Sequence, residues 1–175
     1  MKRYDKTLSW IIRRIQNMET AIVEYRNKTG NFEEKKDDIL TIKEYLNVPV
    51  IVNDDISLVP FCEGVHLGQE DLLKYGENIY TAVNHVREMI GSKIFGISTH
   101  NEKEILEANK TSVDYIGLGA YRKTASKNTD NILGGKLSQL AALSKKPVAA
   151  IGGVKIDDDI ANAAYLVVGS GLYEN

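Results

Sequence analysis

The chain has 175 residues, of which 43% are hydrophobic and 26% charged, with a net charge of -2. This length predicts one domain over residues 1–175, and the near-neutral charge excludes the basic field that non-specific nucleic-acid binding requires. The only cysteine, Cys62, excludes an internal disulfide, and neither a signal peptide nor a run of roughly 18 apolar residues is present, so we expect a cytoplasmic protein without a membrane partner.

Short apolar, β-branched runs recur along the chain and are typical of parallel strands that are buried on both faces. In chain order they are residues 21–25, 49–52, 64–67, 93–97, 114–118, 147–151 and 165–168. Segments with helical spacing of apolar residues lie between them, and Asn101 with Glu104 forms a possible capping box before one helix. This alternation predicts a parallel sheet with helical crossovers, either open or closed into a barrel.

Small and polar residues follow each predicted strand, and in α/β folds ligands bind at that edge of the sheet. The segments are 26–28, 53–55, 68–71, 98–100, 117–119, 152–153 and 169–171, with Thr124, Ser126 and Lys127 trailing the fifth. We therefore expect these segments to share one rim.

The predicted rim carries charges that suit a diphosphate. Asp54 and Asp71 follow adjacent strands and, in a barrel, would be close enough to share one Mg²⁺, which takes one or two carboxylates plus phosphate oxygens. The cations Arg26, Lys28 and Lys127 would neutralise the same anion, and Asn53 would donate a hydrogen bond. The alternative for any one of these side chains is a solvated loop position.

Glycines precede the last two helical segments, where a missing Cβ lets backbone amides approach a phosphate. Gly152, Gly153, Gly169 and Ser170 fit that description, and the alternative is a tight turn that needs positive φ. His66 is expected in the core, His100 beside the site and His85 in solvent, and no Cys or His cluster predicts zinc.

Five segments in order resemble the thiamine phosphate synthase family. They are Val-Asn-Asp at 52–54, Gly-Val-His-Leu-Gly-Gln-Glu-Asp at 64–71, Gly-Ile-Ser-Thr-His at 96–100, Asp-Tyr-Ile-Gly-Leu-Gly at 114–119 and Ala-Ile-Gly-Gly-Val at 150–154. The resemblance implies a TIM-type (β/α)8 barrel that joins hydroxymethylpyrimidine diphosphate to thiazole phosphate, releasing pyrophosphate. In that family the diphosphate leaves first and the thiazole nitrogen then attacks the pyrimidine cation.

The resemblance also implies roles for individual residues. Asp54 and Asp71 would hold Mg²⁺, and Ser98 would lie beside the reacting centre. The diphosphate would be bound by Arg26, Lys28, Asn53 and Lys127, of which Arg26 and Lys127 are counted with Ser98 as catalytic. The thiazole phosphate would be bound by Thr124, Ser126, Gly153, Gly169 and Ser170.

The chain departs from the family pattern at several positions. Glu24 stands where the family has glutamine, and residues 120–123 replace a proline-rich stretch. Only Met1 to Asp5 precede the first predicted helix and little follows Tyr173, so we expect a shortened barrel whose first strand and last helix are trimmed or missing. A flank left bare in this way would favour a homodimer.

Two alternatives to a synthase remain open. Thiazole tautomerases share the barrel but typically carry a catalytic histidine directly after the Gly-Leu-Gly strand, where this chain has Ala120. The other alternative is a barrel that binds thiamine precursors without catalysis, which Glu24 and the missing elements motivate.

Overall fold

The computed structural model describes residues 6–123 and 131–173. They form two compact units, the described parts of Met1–His66 with Ile90–Ile94 and of Leu67–Met89 with Phe95–Asn175. The prediction of a single domain over residues 1–175 stays a prediction. No helix within the described residues is long and apolar enough to cross a membrane.

The first unit holds two helices and most of three strands. In order these are α1 (Leu8–Gln16), β1 (Val23–Tyr25), α2 (Phe32–Tyr45), β2 (Val50–Asn53), a 3-10 helix (Ile56–Phe61) and β3 (Gly64–Leu67). The strands are parallel, and β2 pairs with both β1 and β3. The register sets Glu24 opposite Ile51 and Asn53 opposite His66.

The strands of the first unit are covered on both faces, as their unbroken apolar runs predict. Val50, Val52 and Val65 are fully buried, and Ile39 of α2 packs in the same core at 0% exposure. A capping box begins α2, since Asn31 accepts from the backbone of Glu34 while the Glu34 side chain accepts from the backbone of Asn31. Such a cap stabilises a helix by about 1 kcal/mol.

The second unit continues the alternation of helix and strand. Its elements are α3 (Gln69–Leu72), a 3-10 helix (Leu73–Tyr75), α4 (Ile79–Ile90), β4 (Ile94–Thr99), α5 (Glu102–Ala108), β5 (Tyr115–Leu118), α6 (Lys136–Ala141), β6 (Val148–Ala150), β7 (Tyr165–Leu166) and a 3-10 helix (Ser170–Tyr173). Strands β4 to β7 are parallel and pair in chain order. All four residues of β5 are buried.

Each predicted strand and helix is present, with ends shifted by a few residues. The capping box predicted before α5 is half formed: the Glu104 amide donates to Asn101 Oδ1 at 3.0 Å, but the Glu104 carboxylate accepts from the amide of His100 at 2.8 Å. Cys62 is buried as predicted, with 1% exposure. Burial raises the pKa of its thiol.

Candidate functional site

Four side chains near the carboxyl ends of β1 and β2 form what we call the strand-end cluster: Glu24, Arg26, Asn53 and Asp54. Arg26 Nε donates to Asn53 Oδ1 at 2.9 Å and lies 3.8 Å from Asp54 Oδ2. Asn53 Nδ2 donates to Glu24 Oε1 at 2.7 Å. Three of the predicted diphosphate and metal residues are thus brought together, and they are joined by a residue that the sequence identified only as a departure from the family.

The backbone turns sharply where β2 ends, and this turn sets the direction of Asp54. Asp54 has a φ of 67°, in the left-handed region that aspartate tolerates better than most residues. Its amide donates to the carbonyl of His66 at 2.9 Å, so the first residue after β2 is still tied to β3. The Asp54 carboxylate is therefore held beside Arg26 by the backbone as well as by charge.

His66 lies in the core, as predicted, with 2% of its surface exposed. Burial lowers the pKa of its imidazole, although the charges of Glu24 and Asp54 oppose that shift. The backbone of His66 supports the strand-end cluster, since His66 is opposite Asn53 and its carbonyl accepts from the Asp54 amide.

Lys28 lies in an exposed turn after β1, beyond Arg26. The turn is closed by Asn27, whose Oδ1 accepts from the amides of Thr29 and Gly30 at 3.2 and 3.0 Å. Such local side-chain bonds fix a short loop without secondary structure. The Lys28 backbone is therefore ordered, and its side chain is available to solvent.

In the second unit, Asp71 lies in the first turn of α3 and Ser98 near the end of β4. Asp71 Oδ1 is 2.5 Å from Lys74 Nζ, and the Asp71 side chain is 29% exposed. Gln69 Nε2 donates to the backbone carbonyl of Ser98 at 2.5 Å, which ties the start of α3 to this strand end. Asp71 thus lies in the helix that follows β3, and Ser98 lies in β4 one residue before its end.

His100 follows β4 and contacts Glu104 of α5, the helix that begins two residues later. Its Nδ1 lies 2.9 Å from Glu104 Oε2, and its carbonyl accepts from Asn131 Nδ2 at 3.0 Å. Burial raises the pKa of Glu104, but hydrogen bonds from His100 and Asn101 outweigh it, and the net shift is downward. His85 is exposed as predicted, with Nδ1 3.0 Å from the carbonyl of Tyr75.

Gly152 and Gly153 form what we call the glycine loop, which follows β6 after one intervening residue, Ile151. Their φ angles are 86° and 68°, so the turn that the sequence offered as an alternative is present. A Cβ on Gly153 would lie 2.8 Å from Arg122 Cβ, and one on Gly152 would lie 2.6 Å from Ala120 Cβ. Both positions therefore require glycine for conformation and for space.

Arg122 holds the glycine loop from the side and was not predicted from sequence. Its Nη1 and Nη2 donate to the two carboxylate oxygens of Asp158 at 2.6 and 2.7 Å, and Nη1 also donates to the carbonyl of Gly153 at 3.1 Å. This bidentate bond lowers the pKa of Asp158 to about 2. The two residues are 36 positions apart, so sequence spacing gave no signal for the pair.

The remaining predicted phosphate residues are partly described. Gly169 is exposed, and its carbonyl accepts from the amide of Leu172 at 3.1 Å within the turn that Ser170 begins. Thr124, Ser126 and Lys127 lie outside the described residues. The prediction that all strand ends share one rim stays a prediction.

The carboxylates of Asp54 and Asp71 have the donor chemistry that Mg²⁺ prefers. Both are half-buried, with side-chain exposures of 30% and 29%. Within residues 6–123 and 131–173, no group of three or more His, Cys, Asp and Glu residues is placed to hold a metal ion.

Comparison with solved structures identifies the fold class. A thiamine phosphate pyrophosphorylase from Pyrococcus furiosus superposes with a TM-score of 0.72 at 23% identity, covering 89% of this chain and 73% of that chain. The chain therefore has a TIM-type (β/α) barrel fold, which confirms the predicted fold class.

Comparison of sequences identifies the family. A family model described as thiamine monophosphate synthase matches residues 2–167. The thiamine-phosphate synthase of Vibrio parahaemolyticus is 35% identical over 156 residues, which are 85% of this chain and 72% of that protein. The thiamine-phosphate synthase of Persephonella marina is 35% identical over 142 residues, covering 77% of this chain but only 63% of its own length. The chain belongs to the thiamine monophosphate synthase family.

Proposed function

We propose that this chain is a thiamine phosphate synthase that joins hydroxymethylpyrimidine diphosphate to thiazole phosphate. The bond between the pyrimidine methylene carbon and the diphosphate oxygen breaks, and its electron pair leaves with pyrophosphate. The lone pair of the thiazole nitrogen then forms the new carbon–nitrogen bond. Family membership and the names of the relatives support this reaction.

The strand-end cluster is the observation that carries the proposal. A reaction in which the leaving group departs with its negative charge needs fixed positive charge more than a base. Arg26 supplies that charge, and its Nε is fixed by Asn53 at 2.9 Å. A guanidinium held in this way stabilises the diphosphate as charge develops, without having to reorganise during the reaction.

The other proposed roles follow the resemblance. Lys28 and Lys127 add positive charge around the diphosphate, and Ser98 lies beside the reacting carbon. Thr124 and Ser126, with Gly153, Gly169 and Ser170, bind the thiazole phosphate. Asp54 and Asp71 would hold Mg²⁺, which would neutralise negative charge on the diphosphate.

The test is incubation of the purified protein with both phosphorylated substrates and Mg²⁺, with thiamine phosphate followed by fluorescence after oxidation. Formation of thiamine phosphate with release of one pyrophosphate is the expected result. Isomerisation of the thiazole without pyrophosphate release would instead identify a tautomerase. Ligand binding without turnover would identify a binding protein, and either result would overturn the proposal.

Asp71→Asn tests the metal role within the same assay. We expect a loss of Mg²⁺-dependent turnover of at least about 100-fold, because the amide removes the charge that binds the cation. The melting temperature should stay nearly unchanged, since the pair of Asp71 with Lys74 is a surface ion pair. Asp37→Asn, on the exposed side of α2, is the matched control, and a large loss of stability in Asp71→Asn would show that Asp71 is structural.

A further inference from the structure

Glu24 is a carboxylate placed next to a group that the proposed function assigns to binding an anion. It lies in the middle of β1, is half-buried, and accepts from Asn53 Nδ2 at 2.7 Å. Arg26 follows β1 directly, two residues after Glu24. Asn53 lies between their side chains and bonds to both.

The chemistry of the three groups allows only one orientation of the amide between them. An ionised carboxylate only accepts hydrogen bonds and a guanidinium only donates them, whereas an amide has one end of each kind. The NH₂ end of Asn53 must therefore face Glu24, and its carbonyl end must face Arg26. Removing Glu24 removes the acceptor that holds the NH₂ end of Asn53, so that, of the two bonds, only the one to Arg26 would still restrain this side chain.

The orientation of Asn53 in turn sets that of Arg26. Its Nε–H is bound to Asn53 Oδ1, so the guanidinium edge that carries Nη1 and Nη2 is turned away from Asn53. A guanidinium has five N–H donors in a fixed plane, and the edge left over is the one that pairs with two oxygens of a phosphate. The Arg26 side chain is 37% exposed, so an anion from solvent can reach it.

We propose that Glu24 is a positioning residue that, through Asn53, holds the guanidinium of Arg26 in the orientation that binds the diphosphate. The inference rests on the proposed function in one respect, that the anion is the diphosphate group. It assigns a use to the acidic residue that stands where the family has glutamine.

The direction in which anion affinity changes when Glu24 is removed distinguishes a positioning role from a purely electrostatic one. If Glu24 acted only through its charge, its removal would relieve repulsion and strengthen anion binding. If Glu24 positions Arg26, its removal weakens anion binding although a negative charge has been lost. The two readings predict opposite changes in the same measurement.

The probe is inorganic pyrophosphate with Mg²⁺, titrated by calorimetry into the purified protein. We expect Glu24→Ala to weaken binding about tenfold, the loss typical of one misdirected charge-assisted hydrogen bond. Glu24→Gln should weaken it about two- to threefold, because the neutral amide oxygen of glutamine can still accept from Asn53 but forms a weaker hydrogen bond than a carboxylate does. Glu44→Ala, on the exposed side of α2, is the matched control and should bind as the unaltered protein does.

A double-mutant cycle tests the route through Arg26. In an Arg26→Ala background, Glu24→Ala should cause no further weakening, because the group that it positions is gone. An equal weakening in both backgrounds would overturn the inference, as would unchanged or tighter binding by Glu24→Ala. Should Glu24→Ala fail to fold, Glu24→Gln carries the test, and unchanged or tighter binding by that variant overturns it.

Failure of this inference can be told apart from failure of the proposed function. Pyrophosphate binding that depends on Glu24, in a protein that forms no thiamine phosphate, would overturn the proposed function alone. Thiamine phosphate formation by a protein whose pyrophosphate affinity does not depend on Glu24 would overturn the inference alone. An unaltered protein that neither binds pyrophosphate nor forms thiamine phosphate would overturn both.

Discussion

The strand-end cluster and the glycine loop are both proposed to bind phosphate groups, but they are built differently. In the cluster, order comes from side chains: Glu24, Asn53 and Arg26 are joined by hydrogen bonds of 2.7 and 2.9 Å. In the glycine loop, order comes from the backbone, with two successive residues at positive φ and no room for a Cβ.

Because of this difference, substitutions in the strand-end cluster should mainly affect ligand binding, and substitutions in the glycine loop should mainly affect stability. Side chains that are half exposed at strand ends contribute little to folding, so their loss should impair ligand binding and leave the fold intact. A backbone turn that only glycine can adopt is part of the folded structure, and any side chain added there should lower the free energy of unfolding. Substitutions in each region test that expectation.

The largest expected effect is that of Arg26→Ala in the strand-end cluster. It should lower kcat/KM for the pyrimidine diphosphate by about 100-fold, because a fixed cation on the leaving group is lost. The free energy of unfolding should change by no more than about 0.5 kcal/mol. Steady-state kinetics and urea unfolding measure the two quantities, with Arg13→Ala on the exposed side of α1 as control. A loss of stability in Arg26→Ala would show that the strand-end cluster also contributes to folding.

In the glycine loop, Gly153→Ala should lower the free energy of unfolding by about 1–3 kcal/mol. The new Cβ would combine a φ of 68° with a contact of 2.8 Å to Arg122 Cβ. Urea unfolding followed by circular dichroism measures the change. A variant as stable as the unaltered protein would show that the loop adapts.

Substitutions of two other glycines separate the cost of positive φ from the cost of the steric contact. Gly134 has a φ of 51° but open space around its Cβ position, so Gly134→Ala should lower the free energy of unfolding by only about 1 kcal/mol. Gly135 has an ordinary φ of -61° and equally open space, so Gly135→Ala should stay within about 0.5 kcal/mol. The order Gly153, Gly134, Gly135 is the prediction, and any other order contradicts it.

The smallest expected effect is the pH dependence of the ion pair that supports the glycine loop. The folded-state pKa of Asp158 is depressed from 3.8 to about 2, so its contribution to stability is complete above pH 3.8 and is lost as the pH falls through about 2. The difference in free energy of unfolding between the unaltered protein and Asp158→Asn should therefore be constant from neutral pH to about pH 4 and shrink below it. Asp159→Asn, at an exposed neighbour, is the matched control for the loss of a carboxylate from this segment.

Features that depend on residues close together in the sequence were predictable, whereas features that depend on residues far apart in the sequence were not. Apolar runs and helical spacing are local, and they predicted the seven described strands and the helices α1, α2, α4, α5 and α6, but not the one-turn helix α3 or the short 3-10 helices. The bond between Asn101 and the Glu104 amide is also local, yet the return bond goes to His100, because a flexible carboxylate selects among neighbouring amides only in the folded chain.

The sequence predicted which residues form the candidate site, but it predicted few of the contacts between them. Arg26, Asn53 and Asp54 were chosen from their places after predicted strands, and the structure brings them together. Asn53 was predicted to donate to a ligand, but it donates to Glu24, since the register sets Glu24 opposite Ile51 and so leaves Asn53, two residues further on, as its diagonal neighbour on the same face. The pair of Arg122 with Asp158 depends on two loops, for which sequence spacing carries no signal.

The burial of Cys62 makes the chain convenient for spectroscopy. Its Sγ lies 3.2 Å from the carbonyl oxygen of Gly64, and the side chain is 1% exposed, so alkylating reagents have little access to the native thiol. The chain has no other cysteine. A cysteine placed on an exposed helix can therefore take a fluorophore or a spin label on folded protein without first removing the natural one.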